Sequence, residues 1–258
     1  PPMSINFREE NLRMGGIFET PMVNIGVFHQ SVFNITKALS LTAGIRLDYE
    51  KNSINYDTSS SVDYGFSMPS MHVDFQDLTA NITEYDGKIN RDRFNVLPKV
   101  ALKYDFDANN NVYMSVARGM RSGGYNIQMF SDIMQVELEA NSSQRGDYDV
   151  PHTKADYDRI AHSIAYKPET SWNYEVGAHA NLFGGSVQAD LSAFFMRIRN
   201  QQLSVMASRY GFGRTMTNAG KSNSCGVEVA LRGSALADRL AWTASYGYTR
   251  AVFKEYKD

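Results

Sequence analysis

The sequence predicts an all-β protein, an antiparallel transmembrane β-barrel, because strand-length segments alternate in polarity and the joins alternate in length. From Glu169 to Phe253, apolar and polar residues alternate with a period of two, which puts one set on each face of a strand. The polar set is too polar for a packed core, and the apolar set is long and rich in aromatic residues. Lipid outside and a wet lumen inside account for both sets.

The bulk composition agrees with this class. The 258 residues are 43% hydrophobic, and the mean hydropathy is -0.39. These values look like those of a soluble protein, but a barrel needs only alternate residues to be apolar. No run of about 18 uncharged apolar residues exists, which excludes a transmembrane helix. The aromatic content of 12% favours strands over helices.

The charge distribution and the cysteine content limit the classes of partner and of site that can be expected. The 26 basic and 28 acidic residues are interspersed and form no basic stripe, so no nucleic acid is expected as a partner. The single cysteine, Cys225, excludes an internal disulfide framework and a cysteine-based zinc cluster. No signal peptide is visible, and the last strand runs into charge as if unfinished. We therefore expect a fragment.

Nine segments are predicted to be strands, and 131–140 is a short helix or a further strand. The predicted strands are 4–13, 20–33, 38–57, 92–107, 111–121, 169–182, 186–200, 214–233 and 239–253. A further short hairpin is possible within 72–90.

The joins predict an orientation. Short joins rich in Asn, Asp, Gly and Ser suit hairpin turns, and they lie at 34–37, 107–110, 183–186 and 234–238. Long joins lie at 58–91, 122–168 and 201–213. Strict alternation is typical of outer-membrane barrels, which have short periplasmic turns and long extracellular loops. A soluble sandwich with Greek-key connections need not show it.

The strand 38–57 shows which face is the lumen. Arg46 and Asp48 share the polar parity, and an arginine facing lipid at the midplane would cost about 2–4 kcal/mol, so both are expected to face the lumen. In the strand 92–107, Pro98 falls on the outward parity and removes one ladder donor, which predicts a bulge or a local gap.

The sequence completes none of the motifs for metal or cofactor chemistry that it was compared with. The five histidines form no H-E-x-x-H pair. The segment 105–111 starts like a calcium loop, but it lacks the glycine and the bidentate glutamate of such a loop. No metal, cofactor or catalytic residue is predicted from these motifs. The loop 122–168 does cluster carboxylates and histidines, namely Asp147, Asp149, His152, Asp156, Asp158 and His162.

The segment 118–126 has two interpretations. It is neither G-x-G-x-x-G nor a Walker sequence, so nucleotide binding is not expected. The first interpretation is a glycine-rich strand exit into a long loop. The second is an extracellular rim where Arg118, Arg121, Tyr125 and Asn126 bind an anionic or aromatic ligand.

Several segments resemble motifs of the TonB-dependent outer-membrane receptors. Residues 112–126 resemble "Y-x-S-x-A-x-G-x-R-S-G-G-Y-N", and residues 167–177 resemble "P-E-x-x-x-x-Y-E-x-G". Residues 217–220 and 226–229 are similar to the family's "N-A-G…G-x-E" strand, and 26–30 with 41–49 fit an earlier barrel hairpin. The matches cover most of the chain in order. The ordered set is more specific than any single motif.

The resemblance implies a barrel of about 22 strands with a plugged lumen in the outer membrane of a Gram-negative bacterium. It implies a transporter and not an enzyme, one that takes up a scarce nutrient, in the first place a ferric siderophore, with energy relayed by TonB. The implied partners are the siderophore, TonB in the full-length protein and outer-membrane lipid. No plug domain, TonB box or closing aromatic strand is visible, so residues 1–258 are expected to be part of the barrel.

Two other classes stay open. One is a complete outer-membrane barrel hydrolase of about ten strands, which would need the loop histidines and carboxylates to converge. The other is a soluble all-β carbohydrate-binding or adhesion domain, which would fold without detergent or lipid.

Overall fold

The structure is a computed structural model that describes residues 4–140, 148–206, 213–235 and 239–256. The described strands are β1 (Ser4–Glu19), β2 (Met22–Asn34), β3 (Leu39–Met68), β4 (Val73–Asp105), β5 (Asn111–Arg121), β6 (Gly124–Tyr125), β7 (Tyr148–Asp149), β8 (Ala165–Tyr166), β9 (Glu169–Leu182), β10 (Val187–Arg199), β11 (Gln202–Met206), β12 (Arg214–Asn218), β13 (Gly220–Ala235) and β14 (Leu240–Tyr256). The helices are α1 (Met129–Ala140) and α2 (Lys154–Ser163), with single 3₁₀ turns at Pro69–Met71 and Phe183–Gly185.

One antiparallel sheet contains the long strands, in the order β1-β3-β4-β5-β9-β10-β13-β14, with β2 also paired to β3. The turns 35–38, 106–110 and 183–186 lie together at one end of the sheet, called here the short-turn end. The hairpin tip at 69–72 and the described residues of the excursions 122–168 and 200–219 lie at the opposite, long-loop end. The predicted division into an end with short turns and an end with long joins is therefore confirmed, whereas the join at 69–72 is itself a short turn.

The first two predicted strands form one interrupted ribbon along β3. β1 pairs with the outer part of β3 up to Asn55, and β2 pairs with Ser40–Asn52. The interruption falls at Thr20 and Pro21, and the Ser53 amide donates to the Pro21 carbonyl at 3.0 Å. Proline has no amide hydrogen, so the ladder breaks where Pro21 enters.

The predicted long join 58–91 is wrong because most of it is strand, and the segment 72–90, where a further short hairpin is possible by sequence, belongs to one long hairpin of β3 and β4. β3 continues to Met68, and β4 begins at Val73. The turn between them ends at His72, which adopts a left-handed conformation with φ 55°. Beyond the apolar band, polar residues such as Thr58 and Ser60 are buried. Alternation of polarity therefore disappears there although the strand continues.

The predicted strand 214–233 is two strands. β12 pairs with β11, whereas β13 pairs with β10 and β14 in the main sheet. The break falls at Ala219, which is fully buried, and Gly220 follows it with φ 115°. Glycine adopts such a positive φ without strain, so the chain changes direction here.

The register aligns one apolar row across the sheet from β2 to β14: Phe33, Leu41, Leu102, Met114, Val176, Ala193, Val227 and Tyr248. We call the side that carries this row the apolar face and the opposite side the inner face. Many large apolar side chains on the apolar face are exposed, including Met114 at 54% and Val176 at 51%. A soluble protein rarely exposes so large an apolar patch, and a barrel wall facing lipid does.

Arg46 and Asp48 lie on the inner face, as predicted. The Arg46 Nε atom donates to both Asp48 carboxylate oxygens at 2.9 Å. Asp48 is opposite Gly26 on β2, and a Cβ at position 26 would collide with this ion pair. Gly26 therefore leaves room for the pair to lie flat against the wall.

The gap predicted at Pro98 is present. The ladder between β4 and β5 ends at the pair Lys99–Ala117, next to Pro98. Beyond this point, the Arg118 Nη1 atom donates to the Val96 carbonyl at 3.4 Å. The arginine side chain thus satisfies a strand carbonyl at the place where the ladder stops.

The core of the described chain lies beyond the membrane-crossing part of the sheet. Its buried members come from the outer parts of β3 and β4 and from the excursion 122–168: Ile54, Tyr56, Tyr85, Phe130, Ile160 and Ile164. The second helix was missed in the sequence, although Thr153 and Asp156 form a capping box at its start. In the part of the chain that the structure describes, neither helix is long and apolar enough to cross a bilayer.

Candidate functional site at the long-loop end

Three chain segments meet at the long-loop end, and we call their meeting point the loop junction: residues 122–126, 167–169 and 216–220. Gln202 joins two of them. Its Nε2 atom donates to the Ser122 carbonyl at 2.7 Å and to the Lys167 carbonyl at 3.2 Å. Its backbone amide donates to a Glu169 carboxylate oxygen at 2.8 Å. Segments far apart in sequence are thereby fixed to one another.

Asn218 makes the second set of contacts. Its side-chain amide donates to the carbonyls of Lys167 and Asn200 at 2.8 and 2.9 Å, and its Oδ1 atom accepts from the Lys167 amide at 2.7 Å. The short pairing of β6 with β8 closes the base of the excursion beside it. Every polar atom of this side chain therefore bonds to backbone of a neighbouring segment.

Gly123 allows the backbones to approach. A Cβ at this position would lie 2.5 Å from the Tyr166 carbonyl oxygen and 3.1 Å from the Pro168 nitrogen. Both are main-chain atoms of the segment before β9, which has little freedom to yield. The glycine is thus required by a close backbone contact, and the first interpretation of 118–126, a glycine-rich strand exit, is confirmed as structure.

Glu50 anchors the junction to the sheet. This carboxylate is only 2% exposed on β3, and it accepts hydrogen bonds from the Ser122 hydroxyl and from the Asn52 side-chain amide. The Tyr125 hydroxyl donates to the Asn52 carbonyl at 3.0 Å. A buried carboxylate is costly unless it is hydrogen-bonded, so these donors account for its position.

A second polar contact attaches α1 to the β3–β4 hairpin. The Tyr85 hydroxyl donates to the Glu137 carboxylate, and the His152 Nε2 atom lies 3.0 Å from the same carboxylate. The rings of Tyr85 and His152 stack with centroids 3.8 Å apart. Burial, and then the hydrogen bond to Glu137, raise the pKa of Tyr85 well above its ordinary value. Tyr85 therefore acts here as a neutral hydrogen-bond donor.

The loop residues required by the hydrolase interpretation have different partners. His152 contacts Glu137, whereas the His162 ring bonds the Asp158 carbonyl within α2. Asp156 accepts from the backbone amide and the hydroxyl of Thr153, both at 2.7 Å, which lowers its pKa. Asp147 lies outside the described residues, as does the side chain of Asp149. Among the described residues, no group of three or more His, Cys, Asp and Glu side chains is placed to hold a metal ion.

The four predicted rim residues are divided among three places. Arg118 lies on the apolar face, in register with Trp172. Arg121 lies on the inner face, exposed and in register with Glu169. Tyr125 and Asn126 belong to the loop junction, where Asn126 is 6% exposed. Ligand binding by these four residues stays a prediction.

The inner face below the junction carries exposed cations. Arg91 and Arg93 are exposed on β4, and the Arg91 Nη2 atom donates to the Ala161 carbonyl at 3.0 Å. The cleft beside them is lined by Glu50, Asn52, Arg91, Arg93, Tyr125 and Tyr166. Its volume of about 20 Å³ holds about one water molecule. A larger ligand would therefore contact the exposed arginines from the lumen.

A polar depression of about 330 Å³ lies on the inner face nearer the short-turn end. There Asp190 lies 2.5 Å from the His179 Nδ1 atom and 3.2 Å from the Arg232 Nη1 atom. The Tyr113 hydroxyl donates to Glu175 at 2.8 Å. The inner face is thus polar at this depth as well, as a water-filled lumen requires.

Sequence reasoning missed Glu50, Gln202 and Asn218. Glu50 falls on the polar parity of its strand, which predicts the inner face but not burial. Asn218 lies within the "N-A-G" resemblance, and that motif was its only signal. Gln202 lies in a predicted long join, and nothing in its neighbourhood distinguishes it.

Comparison with known proteins agrees with this architecture. Residues 19–258 match the family described as "TonB dependent receptor-like, beta-barrel". The ferric yersiniabactin uptake receptor FyuA from Yersinia pestis is 20% identical, with a TM-score of 0.57 over 92% of this chain and 28% of that one. The closed form of the ferric-catecholate import receptor Fiu from E. coli K12 is 16% identical, with a TM-score of 0.54 over 93% of this chain and 29% of that one.

At these identities the two structures support the fold alone, and the chain spans less than a third of either receptor. The family match carries more weight because it covers most of the chain, from the end of β1 onward. Together with the apolar face, the polar inner face and the alternation of short turns with long excursions, it shows that the chain belongs to the TonB-dependent receptor β-barrel family.

Proposed function

We propose that this chain forms part of the barrel wall of an outer-membrane receptor that takes up a ferric siderophore in a TonB-dependent process. The observation that carries the proposal is the group of exposed arginines at the long-loop end of the inner face, Arg91, Arg93 and Arg121. Ferric complexes of catecholate and carboxylate ligands are anionic. Guanidinium groups bind such oxygen-rich anions through charge-assisted hydrogen bonds.

The loop junction supports the proposal because it fixes one of these arginines. Arg121 directly precedes Ser122, which bonds to Glu50 and Gln202. A cation on a fixed backbone loses less conformational freedom when it binds than one on a free loop. We therefore keep Arg121 as a ligand contact and assign Tyr125 and Asn126 to positioning the loop. Arg118 lies on the opposite face and is left out of the ligand surface.

The names of the two similar structures point to the same substrate class. One is a ferric yersiniabactin uptake receptor and the other a ferric-catecholate import receptor. Iron-loaded chelators are thus the first ligands to test for this chain.

The test is uptake of radioactive iron by cells that express the full-length receptor as their sole siderophore receptor. Anionic catecholate and carboxylate complexes are compared with a neutral hydroxamate complex, in cells with and without TonB. We expect TonB-dependent uptake of an anionic complex. Replacing Arg91, Arg93 and Arg121 by Gln together should raise its half-saturating concentration roughly tenfold to a hundredfold.

The matched control removes three cations elsewhere, with Lys37→Gln, Lys51→Gln and Lys88→Gln, and should leave uptake unchanged. Equal loss in both triple variants would mean that net charge, and not the inner-face arginines, matters. Absence of TonB-dependent uptake of every ferric complex by the wild-type receptor would overturn the proposed function.

A further inference from the structure

Arginines replace apolar residues on the apolar face at one level near the long-loop end. On β10 the outward residues run from Val187 to Phe195 without a charge, and then Arg197 and Arg199 follow. On β5 the outward residues Val112, Met114 and Val116 are followed by Arg118. All three arginines are exposed.

This level coincides with the expected edge of the hydrocarbon layer. From Val187 to Phe195 the strand rises by about 27 Å, and a tilt near 40° reduces its height to about 20 Å, close to the apolar band of outer-membrane barrels. An arginine is most costly at the midplane and nearly neutral at the interface. The three arginines therefore lie where lipid headgroups begin.

The register sets their spacing. Arg118, Trp172 and Arg197 are consecutive across three neighbouring strands, which places the two arginine Cα atoms about 10 Å apart. Arg199 lies about 7 Å further along β10. Trp172 is 36% exposed between the two arginines, and tryptophan is enriched at membrane interfaces.

The charges around them leave the cluster positive. Across the sheet, the residues in register with Arg118 continue through Asn223 to Val252. The next outward row towards the short-turn end runs from Val116 to Arg250. Neither row contains a carboxylate. In the row above, Arg199 is in register with Lys221 and Lys221 with Glu255. The bond from Arg118 to the Val96 carbonyl uses one of its five N–H groups. Its other N–H groups could therefore bind an anion.

We propose that Arg118, Arg197 and Arg199 bind the phosphate-bearing headgroup of a membrane lipid in the leaflet on the long-loop side. The apolar face directly below would receive the acyl chains of the same molecule, so one lipid satisfies both surfaces. Guanidinium groups bind phosphate bidentately, and a separated pair flanking an aromatic ring fits a headgroup with more than one phosphate. This inference is independent of iron uptake.

The test measures lipid binding to the purified full-length receptor in neutral detergent by native mass spectrometry. The probes are a diphosphorylated lipid A, its dephosphorylated counterpart and inorganic phosphate. We expect the diphosphorylated lipid to bind best, and the combined variant R118Q, R197Q and R199Q to bind it roughly a hundredfold more weakly, at about fivefold per arginine. The matched variant R91Q, R93Q and R121Q on the inner face should bind it like the wild type.

Equal binding of the dephosphorylated lipid, or an unchanged affinity in the outward triple variant, would overturn the inference. Full competition by inorganic phosphate would assign the site to free phosphate and would also overturn it. If the glutamine variant fails to fold, the combined variant R118K, R197K and R199K retains the charge and should lose only the bidentate part of the binding, and an affinity equal to that of the wild type would overturn the inference. Because iron uptake is not the measurement, the result does not depend on the transport proposal.

Discussion

Asn126 and Met216 exchange two hydrogen bonds although 90 residues of sequence separate them. The Asn126 side-chain amide donates to the Met216 carbonyl at 2.9 Å, and the Met216 amide donates to the Asn126 Oδ1 atom at 2.7 Å. The Asn126 side chain thus bonds to both backbone groups of Met216, as a neighbouring β-strand would, and it joins two long excursions. Among the described hydrogen bonds of the loop junction, these two join the residues farthest apart in sequence.

Asn126→Ala should release the excursion around Met216. Both Met216 backbone groups would lose their partner, and because they are only part-buried, each loss should cost about 1 kcal/mol. Hydrogen exchange of the Met216 amide in the full-length protein should therefore accelerate markedly. Asn109→Ala, at an exposed turn position, should leave that rate unchanged. A protected Met216 amide in the first variant would show that the pair is not holding the excursion.

Gly123→Ala should destabilise the junction because the added methyl group meets main-chain atoms of Tyr166 and Pro168. Overpacking of this kind costs about 1–3 kcal/mol. The measurement is the temperature at which the folded form is lost on gels run with and without heating. Gly247→Ala adds the same methyl group where no atom lies within 4 Å, and it should have no such effect.

Glu50 can be tested by separating its charge from its hydrogen bonds. Glu50→Leu leaves the Ser122 hydroxyl and the Asn52 amide without their acceptor, and it should cost about 2–3 kcal/mol. Glu50→Gln keeps one acceptor oxygen for Asn52, and the Ser122 hydroxyl can rotate to accept instead of donate. It should therefore lie much closer to the wild type in thermal unfolding. Equal losses in both variants would assign the effect to charge.

The start of α2 should be sensitive to acid. The pKa of Asp156 is lowered, first by the hydrogen bond from the Thr153 amide and then by that from its hydroxyl. A lowered folded-state pKa means that this stabilisation is present above the ordinary pKa of about 3.9 and is lost as the pH falls below it. Protection factors of the α2 amides should therefore stay constant down to about pH 4 and drop as the pH falls further.

Asp156→Asn keeps the acceptor oxygen but removes the titrating group, so it should flatten this dependence on pH. Asp158→Asn, at an exposed position of the same helix, should leave the dependence intact. An unchanged profile in Asp156→Asn would show that another group senses the acid.

The wall was predictable and the junction was not. In β9 and β10 a lipid-facing side and a wet side give the sequence a period of two, so their extents follow from polarity. β3 and β4 beyond Asn52 leave the bilayer, and their inner face packs under α1. There the Thr58 hydroxyl contacts the Met134 sulfur at 3.5 Å. The polarity of a residue therefore no longer indicates which face of the sheet it lies on.

The separation of Arg118 from Arg121 has a related cause. Sequence reasoning grouped Arg118 with Arg121 as neighbours in one motif, yet residues an odd number apart in a strand point to opposite faces. The parity of Arg118 with Val116 already contained this information. The contacts of Gln202 and Asn218 are of another kind, because they join side chains to backbone groups of remote segments, which no local spacing encodes.

In the proposed setting, the β3–β4 hairpin extends far from the lipid on the outer side of the membrane. From Lys51, the first outward polar position after Tyr49, to the end of β3 at Met68, the strand extends by about 55 Å. A large particle outside the cell, such as an antibody or a phage tail, would therefore contact the tip at Ser70 before it reached the lipid. Changes of sequence at that tip would alter recognition from outside while leaving the wall and its inner arginines intact.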